Sequence, residues 1–261
     1  PCEGRCRRTL VDAPVNIRGL KRYAVDNCGD VPVPSKMDDT GKKIAVIGGG
    51  PSGLSAAYFL SIMGHNVTIF EKRSQLGGML RYGIPSYRLQ RERLQWDIDA
   101  ILSTGVECRM DYDVSTPEAI EEIRNNYDAT YISIGSHNAK DIGIQGEYAK
   151  GVIPAVEMLR GIGDDAKPDF EGKSEVTIVY RRRREDMTAL ADEIDGAIAE
   201  GCSLFQLKAP SRIETDKAGN VRALWVKPQI VGKADKSGRP KPVDSSEAEE
   251  KLSCQIIISA I

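Results

Sequence analysis

Residues 43–72 read KIAVIGGGPSGLSAAYFLSIMGHNVTIFEK, and this stretch decides the fold. The run Ile44–Ile47 is short, apolar and rich in β-branched residues, which is typical of a strand buried in a parallel sheet. Three glycines follow with the spacing G-x-G-x-x-G: Gly48, Gly50 and Gly53. A helix-forming segment comes next, and Val67–Phe70 predicts a second strand. The order strand, glycines, helix, strand predicts a Rossmann-like α/β unit.

Each residue of this pattern suits a dinucleotide. Gly48 permits a tight turn, Gly50 lets a diphosphate approach the backbone, and Gly53 lets the helix pack closely on the strand. The free N–H groups and the dipole at the start of the helix attract the diphosphate. Glu71 follows the second strand, where a carboxylate accepts hydrogen bonds from a ribose diol. The pattern therefore predicts a dinucleotide site, and the alternative is a purely structural glycine-rich turn.

Composition narrows the class of protein. A length of 261 residues predicts one large or two modest domains. Lys and Arg total 36 against 38 Asp and Glu, which argues against a general nucleic-acid or membrane-surface binder. No apolar run approaches the ~20 residues of a membrane span, and no signal peptide is visible. Six scattered cysteines suit reduced thiols or cluster ligands. We expect a cytoplasmic protein.

The N-terminal segment opens with Cys2 and Cys6 in a C-x3-C spacing. Two thiols could form half of an iron–sulfur site, but they cannot supply a four-ligand cage, so ordinary reduced thiols are the alternative. Val15–Val25 predicts a short basic helix, and Gly29–Lys36 predicts an extended connector.

The rest of the first half alternates loops, helices and strands. The predicted elements are a loop at Ser74–Pro85 with adjacent glycines, an amphipathic helix at Arg88–Leu102, a strand pair at Glu107–Val114, a helix at Pro117–Asn125 capped by Thr116, and a buried strand at Tyr127–Gly135.

The second half contains an arginine cluster. Val176–Tyr180 predicts a strand, and Arg181–Arg184 follow it directly. Arginines after such a strand could hold a nucleotide 2′-phosphate, and a solvated charge run is the alternative. No aromatic interleaving supports a nucleic-acid role. The other predicted elements are helices at Ile153–Gly161 and Met187–Gly201, antiparallel strands at Ser203–Leu207, Ser211–Thr215 and Val221–Gln229, a loop at Lys233–Ser246 and a final buried strand at Cys254–Ile261.

Several motifs occur together in one order. They are CEGRC with VNIRGLKRYA, VIGGGPSGLSAAYFL with IFEK, LGGMLRYGIPSYRL, YDATYISIGS, GVIPAVEMLR, VTIVYRRRREDM, AIAEG and IISAI. This set resembles the small (beta) subunit of glutamate synthase and its relatives, which include the flavin half of dihydropyrimidine dehydrogenase. The segments GGMLRYGIP and VYRRRREDM are the most specific, and the resemblance spans nearly the whole chain.

The resemblance implies a fold and an activity. The fold would consist of FAD/NAD(P)-binding Rossmann-like domains of the pyridine nucleotide-disulfide oxidoreductase type. Residues 1–40 would end an N-terminal iron–sulfur helical domain, 41–150 would form the FAD-binding domain and 151–261 the NAD(P)H-binding domain. The activity would be that of an NAD(P)H-dependent flavin oxidoreductase, passing electrons through FAD to iron–sulfur clusters. The acceptor would be a partner subunit or iron–sulfur protein, for example an amidotransferase-type large subunit.

The resemblance also implies site residues. For the FAD pyrophosphate these are Gly48, Gly50, Pro51, Ser52 and Gly53, with Glu71 at the adenosine ribose. Those near the flavin are Gly78, Leu80, Gly83, Ile84, Pro85 and Arg88, and those on the adenine side are Val114 and Gly135. Arg181 and Arg182 would lie near the 2′-phosphate of NADPH, and Cys2 and Cys6 would be two ligands of a [4Fe–4S] cluster. No general acid or base is assigned.

The chain also departs from the family pattern. Relatives carry a second strand–glycine loop–helix unit before VTIVYRR, whereas here Lys173 runs through Ser174 and Glu175 into the strand. A βαβ dinucleotide unit takes about 30 residues, so the NAD(P)H phosphate loop is missing. Three explanations stay open: residues that the given sequence omits, a fragment, or a natural deletion. The clean join favours omission.

Two other functions compete with the oxidoreductase interpretation. The missing loop motivates a non-catalytic flavin-binding or scaffold subunit that has lost NAD(P)H binding. A disulfide reductase of the thioredoxin-reductase kind would need a C-x-x-C pair, but Cys2 and Cys6 have a longer spacing and lie outside the nucleotide domains.

Overall fold

The computed structural model describes residues 2–29, 32–166, 168–170, 172–173, 175–234 and 238–260. The helices are α1 (Ile17–Asn27), α2 (Pro51–Ile62), α3 (Met79–Tyr82), α4 (Arg91–Leu102), α5 (Pro117–Asn126), α6 (Ala155–Gly163) and α7 (Ala191–Ala199). The strands are β1 (Lys43–Ile47), β2 (Asn66–Phe70), β3 (Glu107–Arg109), β4 (Ala129–Ile132), β5 (Val152–Pro154), β6 (Thr177–Tyr180), β7 (Ser203–Gln206), β8 (Lys208–Thr215), β9 (Val221–Ala234), β10 (Pro240–Asp244), β11 (Glu250–Ser253) and β12 (Ile257–Ser259).

The chain forms two compact units. The first unit comprises Pro1–Gly78 and Gln90–Ile134, and the second comprises Met79–Leu89 and Gly135–Ile261. Ser174, where the predicted join lies, and Ile261, the end of the predicted last strand, fall outside the described residues. The division into cofactor domains at residues 40 and 150 stays a prediction.

The first unit is built on a parallel sheet with the strand order β3-β2-β1-β4. Its central strands are the most apolar ones, and Val46 and Ile69 are fully buried. Ala57 of α2 is also fully buried. The predicted strands at 44–47 and 67–70 and the helix between them are therefore confirmed. Gly64 lies in the short connection between α2 and β2 and has φ of +88°. A Cβ there would lie 2.1 Å from the carbonyl oxygen of Asp38.

Three predictions in the first half were wrong in part. The expected strand pair at Glu107–Val114 is the single short strand β3. The expected buried strand at Tyr127–Gly135 is shorter, and the four residues of β4 are all exposed, because β4 lies at the edge of the sheet. The expected loop at Ser74–Pro85 contains the one-turn helix α3. The predicted cap of α5 is confirmed, since Thr116 Oγ1 accepts a hydrogen bond from Ala119 N at 3.2 Å.

The second unit contains an antiparallel sheet in which β9 pairs with β8, β10 and β11. Its core comprises Ile213, Val221, Leu224 and Val226. Two separate parallel pairs, β5 with β12 and β6 with β7, complete the strands that the structure describes.

Three expectations for the second unit are corrected. The segment Ser203–Leu207 was expected to be antiparallel, but β7 pairs in parallel with β6, since α7 connects them as a crossover. The described part of the expected loop at Lys233–Ser246 contains the end of β9 and all of β10, because these two strands pair there, whereas residues 235–237 fall outside the described residues. The expected buried strand at Cys254–Ile261 is reduced to the three residues of β12, of which Ile258 is exposed.

In the part of the chain that the structure describes, no helix combines the length and apolar character that crossing a membrane requires.

Candidate dinucleotide site

The turn between β1 and α2 is held by two glycines that the packing requires. Gly48 has φ of +102°, and a Cβ there would lie 2.5 Å from the carbonyl oxygen of Ser133. Its N–H donates to Phe70 O at 2.8 Å. At Gly53, a Cβ would lie 1.9 Å from the carbonyl oxygen of Gly48. These two glycines are therefore explained by the fold itself.

Gly50 is different, because the protein does not need a glycine there. Its backbone lies at φ −77° and ψ −177°, an extended conformation that any residue adopts. A Cβ at Gly50 would meet nothing closer than the Cα of Gly78, at 3.7 Å, which is an ordinary contact. The missing side chain leaves open space beside the turn, as the close approach of a diphosphate requires.

The first turn of α2 is suited to an anion. Gly50 is the N-cap, and its carbonyl accepts from Leu54 N at 2.9 Å. The N–H groups of Ser52 and Gly53 precede this bond and have no partner within the helix. Pro51, at the first helical position, has no N–H to satisfy. Pro51 and Ser52 are exposed, so the start of the helix is accessible to a ligand.

Glu71 is buried and is already bonded to the backbone. Its Oε2 accepts from Gly49 N at 2.7 Å, and its Oε1 accepts from Arg73 N at 2.9 Å. The sequence predicted only a ribose contact for this carboxylate. An ionised carboxylate offers about four lone-pair positions, so each oxygen can still accept one more hydrogen bond. Glu71 therefore fixes the glycine turn and retains acceptor capacity for a diol.

Replacing Glu71 by Gln tests this double role. An amide has one acceptor oxygen, so either Gly49 N or Arg73 N would face the NH₂ group and lose its partner. We expect Glu71→Gln to lower the free energy of unfolding by about 1–3 kcal/mol and to raise the Kd for FAD by about tenfold. Urea unfolding and isothermal titration calorimetry measure the two effects. The matched control is Glu121→Gln on an exposed position of α5, which should change neither; unchanged values for Glu71→Gln would contradict the assignment.

The adjacent glycines after β2 pack against the turn. Gly77 N donates to Gly49 O at 2.9 Å. Gly78 has φ of +51°, and a Cβ there would lie 2.6 Å from the Cα of Gly50. The sequence predicted that this backbone passes close to something bulky, and within the first unit it passes close to the glycine turn. Gly78 is buried.

Two hydroxyl residues that were not predicted also contact the turn, namely Tyr131 on β4 and Ser133 directly after it. Ser133 Oγ donates to Ile47 O at 2.9 Å and to Gly48 O at 3.0 Å. The hydroxyl groups of Tyr131 and Ser52 lie 3.0 Å apart. Their spacing of two residues on a strand was the available signal, because it places both side chains on one face.

Val114 and Gly135 were both predicted for the adenine side, and each belongs to a different unit. In the first unit, Val114 is half-buried and packs against the cluster of Ala45, Phe70 and Ile123. In the second unit, Gly135 is exposed and has φ of +67°. Their role at an adenine stays a prediction.

The residues predicted near the flavin, apart from Gly78, lie in the second unit. Leu80 is on α3, and the N–H groups of Gly83 and Ile84 both donate to Met79 O, so the chain turns sharply after the helix. Ile84 and Pro85 are partly buried. Arg88 is exposed and forms an ion pair with Glu193.

Gly163 is a packing residue that the sequence analysis did not identify. A Cβ there would lie 2.8 Å from the ring of Tyr82, so α6 packs closely on α3. Tyr82 is fully buried. The tight contact holds in place the segment that precedes Gly83–Pro85.

The arginine cluster does not converge on one point. Arg182 Nε donates to Pro240 O at 3.0 Å, and Arg183 pairs with Asp186 at 2.9 Å. The Arg183 guanidinium lowers the pKa of the Asp186 carboxyl. Arg184 forms an ion pair with Asp195. Arg181 is exposed, and its side chain forms no hydrogen bond or ion pair with the residues that the structure describes. The geometry thus leaves Arg181 as the most accessible guanidinium.

Cys2 and Cys6 flank the short 3₁₀ helix Glu3–Arg5. Hydrogen bonds with the backbone of Val15 and Arg8 lower the pKa of the Cys6 thiol, which favours the thiolate that binds metals. All six cysteines are free thiols. Within the described ranges, no group of three or more His, Cys, Asp or Glu residues is placed to hold a metal ion. These residues therefore do not complete a [4Fe–4S] cage, which takes four thiolates.

Comparison with known proteins agrees with this geometry. The model of the NAD(P)-binding Rossmann-like domain family matches residues 46–105, which include the glycine turn and Glu71. The chain is 36% identical to the NADP(+)-dependent formate dehydrogenase subunit beta of Moorella thermoacetica. It is 34% identical to the NADPH-Fe(3+) oxidoreductase subunit beta of Geobacter sulfurreducens, and 25% identical to the glutamate synthase [NADPH] small chain of Escherichia coli. The chain is therefore similar to these oxidoreductase subunits. The predicted family resemblance is confirmed.

These relatives are longer than this chain. The alignments cover 100% of the chain but 44% of the formate dehydrogenase subunit and 43% of the Fe(3+) oxidoreductase subunit, and 99% of the chain but 62% of the glutamate synthase subunit. The alignment with the formate dehydrogenase subunit runs over 311 positions, although the chain has 261 residues, so that relative carries residues that have no counterpart here.

A solved structure supports the fold class. Mycobacterium tuberculosis FprA in complex with NADPH matches 83% of this chain and 70% of its own length, with a TM-score of 0.64 and 18% identity. At this identity the match concerns the fold alone. With the family match, it confirms the predicted α/β fold of the FAD/NAD(P)-binding Rossmann type.

Proposed function

We propose that this chain is the flavin-binding part of an NADPH-linked oxidoreductase of the glutamate synthase small-subunit type. The observation that carries the proposal is the contrast between the glycines. The fold requires Gly48 and Gly53, whereas Gly50 leaves space that the protein does not fill. A dinucleotide diphosphate accounts for that space.

The residues of the first unit fit the ADP half of FAD. The N–H groups of Ser52 and Gly53 would bind the diphosphate, assisted by the dipole of the twelve-residue helix α2. Glu71 would accept from the ribose diol with the lone pairs that the backbone leaves free. Val114 would line the adenine. When bound, FAD supplies the chemistry that accepts a hydride and releases single electrons.

The proposal includes a partner that accepts the electrons from the flavin. Two of the relatives are named as beta subunits, which supports a partner subunit that takes the electrons. Cys2 and Cys6 would contribute two thiolates to a [4Fe–4S] cluster, and the remaining ligands would come from a segment or subunit other than the residues of the two units. The free thiols suit a reducing compartment, so we place the protein in the cytoplasm.

Flavin reduction by NADPH tests the proposal. The purified protein with FAD should lose its visible flavin absorbance when NADPH is added without oxygen. If Arg181 and Arg182 bind the 2′-phosphate, Arg181→Ala and Arg182→Ala should each raise the KM for NADPH by about tenfold or more. The KM for NADH, which lacks that phosphate, serves as the internal control and should not change. Equal effects on both nucleotides would contradict the assignment.

A second candidate function is a flavin-binding subunit that does not use NAD(P)H. Two observations favour it. The formate dehydrogenase subunit carries residues that this chain lacks, and only three residues separate Lys173 from the strand β6. Without a glycine-rich phosphate loop, the second unit would offer arginines but no backbone cradle for the diphosphate. The same experiment decides between the two functions. A flavin that stays oxidised with NADPH but is reduced by dithionite would support the second.

A further inference from the structure

The hydroxyl groups of Tyr131 and Ser52 connect the edge strand β4 to the first turn of α2. The residues are 79 positions apart in sequence, and their oxygens lie 3.0 Å apart. Tyr131 stands beside Val46 of β1 in the parallel ladder. Its side chain therefore reaches across the sheet edge to the helix that follows β1.

Ser133 supports the same turn from the same strand face. Side chains two residues apart on a strand share a face, so Tyr131 and Ser133 both point toward α2. Ser133 Oγ bonds the carbonyls of Ile47 and Gly48, where β1 ends. The two hydroxyls thus brace the turn at both of its ends, Ser133 at the strand and Tyr131 at the helix.

The Ser52 hydroxyl lies on the first turn of α2, where the proposed diphosphate site begins. Ser52 is the second residue of α2, and its own N–H is one of those that the helix leaves unpaired. Ser52 and Tyr131 are both exposed, so neither hydroxyl is bonded merely to satisfy a buried polar group. In a hydroxyl pair, one O–H donates to the other oxygen, and the accepting hydroxyl keeps its hydrogen for a further acceptor.

We propose that Tyr131 is a positioning residue for the dinucleotide diphosphate, acting through Ser52 to hold the first turn of α2 in its binding position. This inference rests on the proposed function, because it takes the β1–α2 turn as the diphosphate site. It adds a residue from β4 that neither the glycine pattern nor the match to the Rossmann-like domain family, which ends at residue 105, contains.

Two single substitutions and their combination test the inference in the full chain. Tyr131→Phe and Ser52→Ala each remove one hydroxyl, and each should raise the Kd for FAD about three- to tenfold. The double variant should lose no more affinity for FAD than Ser52→Ala alone, because Tyr131 acts through the hydrogen bond that Ser52→Ala already removes. Matched controls are Tyr58→Phe and Ser55→Ala, further along α2, whose hydroxyls make no hydrogen bond with the described residues; both should bind FAD normally.

Binding of ADP and of adenosine distinguishes a specific loss of diphosphate binding from a general loss of nucleotide binding. ADP contains the diphosphate, so its affinity for the variants should fall by the same factor as that of FAD. Adenosine lacks the diphosphate and should bind the variants as tightly as it binds the wild type. Thermal unfolding of the apoprotein should stay within a few degrees of the wild type, since the bond is exposed. Variants that bind FAD with wild-type affinity, or that lose ADP and adenosine equally, would overturn the inference alone. A wild-type chain that binds neither FAD nor ADP would overturn the proposed function and this inference together.

Discussion

Gly50→Ala should abolish tight FAD binding while leaving the protein folded. The added methyl would occupy the open space beside the turn and hold the diphosphate away from the N–H groups of Ser52 and Gly53. Losing two hydrogen bonds to a charged group, at about 1.5–3 kcal/mol each, corresponds to a rise in Kd of a hundredfold or more. Calorimetric titration of the apoprotein with FAD measures this effect.

The fold should tolerate the same methyl. The nearest heavy atom to a Cβ at Gly50 is 3.7 Å away, and the backbone conformation is one that alanine adopts. Alanine is a weaker N-cap than glycine, but it also restricts the unfolded chain, and these two effects offset each other to within about 1 kcal/mol. Urea unfolding should therefore change little. Wild-type FAD affinity in Gly50→Ala would mean that the open space does not hold the diphosphate.

Gly53→Ala should instead unfold or strongly destabilise the first unit. Its Cβ would lie 1.9 Å from the carbonyl oxygen of Gly48, a contact that is impossible without movement of the backbone. It would also lie 2.7 Å from Ser133 Oγ, so the Ser133 hydroxyl would have to leave its position. Overpacking a core costs about 1–3 kcal/mol, and a clash with backbone lies at or above the top of that range. Against a total stability of about 5–15 kcal/mol, such a loss is large. Circular dichroism during urea titration measures it.

The control for both substitutions is Gly196→Ala. Gly196 lies inside α7, where a Cβ would meet nothing within 4 Å. Alanine is favoured over glycine in a helix by up to about 1 kcal/mol, so this variant should be as stable as the wild type or more stable, with unchanged FAD binding. If Gly53→Ala behaved like Gly196→Ala, the close packing of α2 on the turn would be contradicted.

Much of the first unit could be predicted because its signals are local. The β-branched run at β1, the glycine spacing and the cap at Thr116 each act within a few residues, and the structure confirms each element. The parallel pairing of β7 was missed because pairing partners are chosen by packing between distant segments. The site residues taken from the family resemblance remain predictions about a ligand.

The sequence by itself determined the α/β fold, the position of the glycine turn and the acid that follows β2, because these depend on chain conformation over short distances. The glycines of the G-x-G-x-x-G pattern are the same in the sequence, and only the tertiary structure shows which of them the protein needs. A Cβ at Gly53 would meet backbone of the turn and one at Gly48 would meet the backbone of Ser133, just after β4, whereas Gly50 faces open space. The bonds of Glu71 to Gly49 and of Tyr131 to Ser52 were likewise decided by tertiary structure. The physical reason is that these contacts join residues brought together by sheet pairing and helix packing, which no local pattern encodes.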